Sequence, residues 1–106
     1  MPRFMIQAKL TVEGLKGTLA EGGVARRAAL LQTISALGGK LESYYYAFGD
    51  TDVIGIAEMP DNVSAAAFST TVAAAGIAAT RTTVLITPEE MDQVAAKTVA
   101  YRKPGG

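Results

Sequence analysis

The chain has 106 residues, enough for one domain around one hydrophobic core, and its 49% hydrophobic and 19% charged content is that of a folded protein rather than a disordered one. Ten basic and ten acidic side chains cancel without any one-signed run, which argues against nucleic acid and against electrostatic docking on a membrane. Cysteine and histidine are both absent, so disulfides, thiolate or imidazole metal sites, Ser–His and Cys–His catalysis and a His-ligated haem are excluded together.

No apolar run approaches the roughly 20 residues of a membrane helix. Met1-Pro2-Arg3-Phe4 lacks the basic head and apolar core of a signal peptide, so the cytoplasm is the expected compartment. Phe4, Ile6, Ala8 and Leu10 alternate with Met5, Gln7 and Lys9, the period-two pattern of a strand with one apolar face. Thr11 to Gly14 reads as the start of a short helical turn, and Gly22-Gly23 as a break between helical pieces rather than an anion site. Val24, Ala28, Leu31 and Ile34, widened by Leu30 and Leu37, then give a helical stripe, with Arg26, Arg27 and Gln32 on the other side. Gly38-Gly39 supplies its stop.

A second strand is expected over about residues 40–48 and a third over about 52–59, joined by a hairpin turn at Gly49-Asp50-Thr51. Asp61 or Asn62 caps the next helix, whose buried stripe is Ala65, Phe68, Val72 and Ala75, with Gly76 at its end. The β-branched stretch over residues 79–87 is a fourth strand, beginning near Arg81, a surface or interface charge. Thr87-Pro88-Glu89-Glu90 is a capping box with proline at the first helical position, opening a terminal helix with Met91, Val94 and Ala95 inward. The order β-α-β-β-α-β specifies an α+β, ferredoxin-like fold: a single domain over residues 1–106, with a four-stranded antiparallel sheet, two helices on one face and a short C-terminal helix.

Two helices leave the other sheet face uncovered. Alternation assigns Met5, Gln7 and Lys9 to that face from the first strand, and Glu42, Tyr44, Tyr46 and Phe48 from the second. A register slip of one would place Tyr45 there instead, with Leu41 and Ala47. A face carrying Met5 and three aromatics is too apolar for water, so self-association into a homodimer or a higher homo-oligomer is expected. Such a dimer would enclose an aromatic-walled cavity with Gln7, Lys9 and Glu42 as polar points.

Several short motifs in fixed order resemble the bacterial GYD domain: Ile6-Gln7-Ala8 with Glu13-Gly14, Gly38-Gly39-Lys40, Gly49-Asp50-Thr51-Asp52-Val53, Pro60-Asp61, and Leu85-Ile86-Thr87-Pro88-Glu89-Glu90. The resemblance spans essentially the whole chain. That family is named for a Gly-x-Tyr-Asp-type turn; Gly49 and Asp52 match it, and Thr51 stands where tyrosine is usual. The resemblance implies a compact α+β domain and no reaction. At fold level it is similar to the dimeric α/β-barrel superfamily, whose members include cofactor-free monooxygenases, isomerases, haem enzymes and ligand-sensing regulators.

The expected site is therefore a ligand pocket of Gln7, Lys9, Tyr44, Tyr46 and Asp52, taking a small apolar or aromatic molecule without cofactor or metal. The tyrosines stack on a ligand or lend a hydroxyl; the plainer reading makes them strand residues filling core and interface. Asp52 is a general base or, as aspartates beside glycine turns usually are, a cap on backbone N–H groups. Asp50 with Asp52 lacks a third ligand for a cation. Three functions follow as alternatives: a homo-oligomeric small-ligand-binding module, a cofactor-independent barrel-type monooxygenase or isomerase, and a purely structural assembly subunit.

Overall fold

The computed structural model describes residues 1–106. In chain order it contains β1 (Arg3–Leu10), α1 (Val12–Glu21), α2 (Gly23–Ala36), β2 (Lys40–Tyr46), β3 (Val53–Glu58), α3 (Asn62–Ala74), β4 (Ala78–Leu85) and α4 (Pro88–Ala96). The four strands form one antiparallel sheet in the order β2-β3-β1-β4, which is the ferredoxin-like arrangement. No helix is long and apolar enough to cross a membrane.

The core follows from alternation. Phe4 and Ile6 of β1 and Ala57 of β3 point to the helix-covered side, where Ile34 of α2 and Ala65 and Phe68 of α3 meet them, with Met59 closing one end. Each large side chain buried this way contributes about 1.5–3 kcal/mol. The helix ends are fixed by the predicted caps. Asp61 Oδ1 accepts the Ser64 N–H at 2.8 Å, which holds its carboxyl below the usual aspartate range. Thr87 and Glu90 form the capping box in both directions. Gly38, at φ +81°, ends α2 while the Gly39 N–H reaches back to the Ile34 carbonyl at 2.9 Å.

Four expectations need correction. The helical turn after Thr11 is a full ten-residue helix, so three helices rather than two cover the sheet. The buried stripe of α2 is Leu30, Ile34 and Leu37, whereas Val24 and Leu31 are exposed. The hairpin between β2 and β3 is wider than a tight turn, because pairing stops at Tyr46↔Val53. Phe48 therefore stands in solvent in the connection instead of lying on β2. Finally, α4 does not pack inward: Met91 and Val94 are each about half exposed.

A β-bulge decides the faces of the sheet. Leu41 pairs with Ala57, but the next paired residue of β2 is Ser43, opposite Ile56, so the chain inserts one residue between them. Beyond the bulge Tyr44 pairs with Gly55 and Tyr46 with Val53, both helix-face positions. Tyr44 and Tyr46 thus project under the helices and not onto the open face. Tyr45, opposite Ile54, takes the open face alone among the three tyrosines.

Candidate functional site

A cavity of about 200 Å³ lies between the sheet and the first three helices. Its floor is the helix face of all four strands, including Ile6 and Ala8 of β1, Leu41 and Tyr44 of β2, Val53 and Gly55 of β3, and Thr80 of β4. The roof is made by the inward side of α1 and by Arg26 and Leu30 of α2, with Phe68 and Val72 of α3 along one wall.

The space exists because of what α1 presents inward. Gly14, Gly17 and Thr18 line the cavity at helical spacing, while the larger Val12, Leu15 and Leu19 face solvent. This helix is the reverse of an ordinary amphipathic one: small residues in, leucines out. Gly14 is fixed by close approach, since a Cβ there would run into the Ile77 carbonyl oxygen. Thr11 anchors the same end, donating through its hydroxyl to the Gly76 carbonyl at 2.8 Å and through its N–H to Ile77 at 2.9 Å. Gly17 meets nothing within 4 Å, so its missing side chain is open volume.

Tyr44 is the tyrosine of the lining. Gly55 lies across the strand pair from it, leaving room for the ring against the sheet. The ring meets Tyr46 edge to face, with centroids 5.3 Å apart, and the two hydroxyl oxygens are 3.4 Å apart, long for an O–H···O bond. Tyr46 in turn lies over Gly23, where a Cβ would come within 2.9 Å of the ring. Burial pushes the Tyr44 hydroxyl above the usual tyrosine range; the Tyr46 hydroxyl adds to the rise and the Arg26 charge opposes it. Tyr44 is consequently a neutral hydrogen-bonding group at any physiological pH.

Arg26 was placed by periodicity on the outer side of its helix, but it lines the cavity with its side chain about a quarter exposed. Its nearest carboxylate, Glu21 Oε1, stands 3.7 Å from Nη1, beyond hydrogen-bond reach. A signal for this residue does exist in the sequence. Stepping back four positions from the buried pair Leu30 and Ile34 lands on Arg26.

The other expected site residues lie elsewhere. Gln7 and Lys9 are on the open face, beside a polar hollow of about 140 Å³ that also includes Asp50, Thr51 and Arg81. Asp52 joins Lys9 there, accepting from Nζ at 3.3 Å, and its other oxygen accepts the Leu10 N–H at 2.8 Å. Asp52 therefore does bond backbone, as the turn reading expected, although the N–H belongs to β1 and not to its own hairpin. The sheet itself separates Gln7, Lys9 and Asp52 from Tyr44 and Tyr46, so the five residues do not form one pocket. No cluster of three or more Asp or Glu side chains is placed to hold a metal ion.

Glu42, expected on the open face, is there. Arg3 donates to both its oxygens, at 2.8–3.1 Å, and also reaches Glu58. The hydrogen bonds from Arg3 hold the Glu42 carboxyl below its usual range. Neither a curated protein nor a solved structure matches the chain. The family model described as GYD domain matches residues 4–95.

Proposed function

This chain belongs to the GYD domain family, and on that footing we propose that it is a homo-oligomeric small-ligand-binding module whose ligand occupies the cavity between the sheet and the helices. The observation that carries the reading is the cavity itself: apolar walls with a few converging polar groups, the pattern of ligand sites. Its size fits a single ring, since an apolar cavity of roughly 150 Å³ is enough to take benzene. Burial keeps the Tyr44 hydroxyl protonated, which suits it to hydrogen bonding and makes it a poor base. That favours binding over the monooxygenase or isomerase alternative.

Self-association and a cytoplasmic setting belong to the same proposal. The open face carries Met5, Ile54, Ile56, Tyr45 and Leu85 with no helix over them, and the fold-level likeness to dimeric α/β barrels suggests that a second copy covers them. The ligand test is a toluene titration followed by amide chemical shifts. Shifts should concentrate at Ala8, Gly14, Gly17 and Thr80, and Ala8→Phe, which fills the cavity from its floor, should abolish them in a folded chain. Shifts confined to the open face, or none at millimolar toluene, would overturn the reading.

A further inference from the structure

Three of the ten basic side chains have a carboxylate within 4 Å: Arg3, Lys9 and Arg26. Arg3 is committed to Glu42 and Glu58, and Lys9 to Asp52. Arg26 differs from both. It lines an apolar cavity and has a carboxylate only at 3.7 Å, so its fork of five N–H donors lacks a matching acceptor in Glu21. Glu21 is about half exposed and can turn into water, whereas Arg26 is held on the inward stripe of α2 one helical turn before Leu30. Beside it, Tyr44 contributes a neutral hydroxyl within the same lining.

We infer that the cavity takes a small ring- or alkyl-bodied anion, its carboxylate or equivalent oxyanion gripped by Arg26 and the Tyr44 hydroxyl in exchange for Glu21. This rests on the ligand-binding reading above and names its ligand class. Two acidic side chains, Glu13 and Glu21, also border the cavity, and they are the reason the alternative, a cationic amine, has to be tested against it. Glu13 sits in the first turn of α1 and Glu21 in its last, both exposed, so neither carboxylate is held in the apolar interior. Desolvation therefore strengthens the arginine more than the glutamates. A guanidinium fork also matches a carboxylate in two parallel hydrogen bonds.

The discriminating experiment is calorimetric titration with benzoate, benzamide and benzylamine, three molecules of nearly one shape and different charge. Benzoate should bind about tenfold more tightly than benzamide, the lower end of what one hydrogen bond to a charged group contributes, and benzylamine most weakly. Arg26→Gln should weaken benzoate far more than benzamide and so close the gap between them. Glu21→Gln, which removes the competing carboxylate, should tighten benzoate and keeps the test open should the arginine variant misfold. Equal binding of benzoate and benzamide, or a preference for benzylamine, overturns the anion assignment and leaves the cavity as a ligand site. Failure of all three to bind overturns the anion assignment alone where toluene still shifts the cavity amides, and overturns both where it does not.

Discussion

Tyr44 links burial to a measurable pH dependence. Its hydroxyl is pushed above the ordinary value first by burial and then by the Tyr46 hydroxyl. Below about pH 10, the ordinary tyrosine value, folded and unfolded chains both carry it neutral and its contribution to stability is complete. Above that pH the unfolded chain gives up the proton while the folded chain retains it. Stability then falls as pH rises toward the raised folded value. The urea midpoint of the wild-type chain should therefore drop further between pH 8 and pH 11 than that of Tyr44→Phe. All other titrating groups are common to the two proteins and cancel in the difference. Equal drops would mean that the Tyr44 hydroxyl is as well hydrated in the folded chain as in the unfolded one.

At the scale of elements, the phase of α2 is the clearest test of the packing. Ile34 has no exposed surface and sits among Phe4, Ala57, Met59 and Phe68, whereas Leu31, three residues earlier, is nearly half exposed. Ile34→Ala should cost about 2–5 kcal/mol by denaturant unfolding, and Leu31→Ala less than about 1 kcal/mol. Similar costs would mean that the stripe read from Val24, Ala28 and Leu31 is the buried one after all. Two leucine-containing stripes overlap in this helix, and periodicity alone does not rank them. The structural decider is Ile34, which belongs to both and packs with Leu30 and Leu37 at its flanks. The four strands and the caps at Asp61, Gly38 and Thr87 were legible because each depends on local residue chemistry, and the antiparallel ferredoxin-like sheet followed from the chain order of the elements. The tyrosine faces were not. No uniform alternation places Leu41, Tyr44 and Tyr46 together, and that is what the bulge between Leu41 and Ser43 achieves. Either strict register would have been wrong at one end of β2. The same limit hid the cavity, which depends on the absence of side chains at Gly14 and Gly17 rather than on the presence of any motif.

The whole molecule is more extended than its length requires. Its radius of gyration is 16.8 Å, against about 13 Å for a compact domain of this size. The excess lies along one axis, 56 Å against 32 and 22 Å. Beyond the sheet, α4 and the residues after it leave Met91, Val94, Val99 and Tyr101 half to mostly exposed. The open sheet face adds Ile56 beside Met5 on the two central strands. Four strands at about 4.8 Å and six residues at about 3.4 Å give that face a projected area of only about 400 Å². A stable dimer usually buries about 800 Å² on each partner. Side-chain relief narrows the gap, and an arm reaching across to the second copy would close it. The proposed dimer therefore draws on both surfaces, with the sheet face at its centre, and they can be separated. Light scattering over a micromolar dilution series should give a dimer for the full chain. Ile56→Lys, which places a charge at the centre of the face, should give a monomer with an unchanged circular dichroism spectrum. Removing residues 88–106 should weaken the dimer without abolishing it, because the sheet face remains. A full-length chain that is monomeric at every concentration would sink the dimer. Full dimerisation of Ile56→Lys would move the interface off the sheet and onto the helices and the arm.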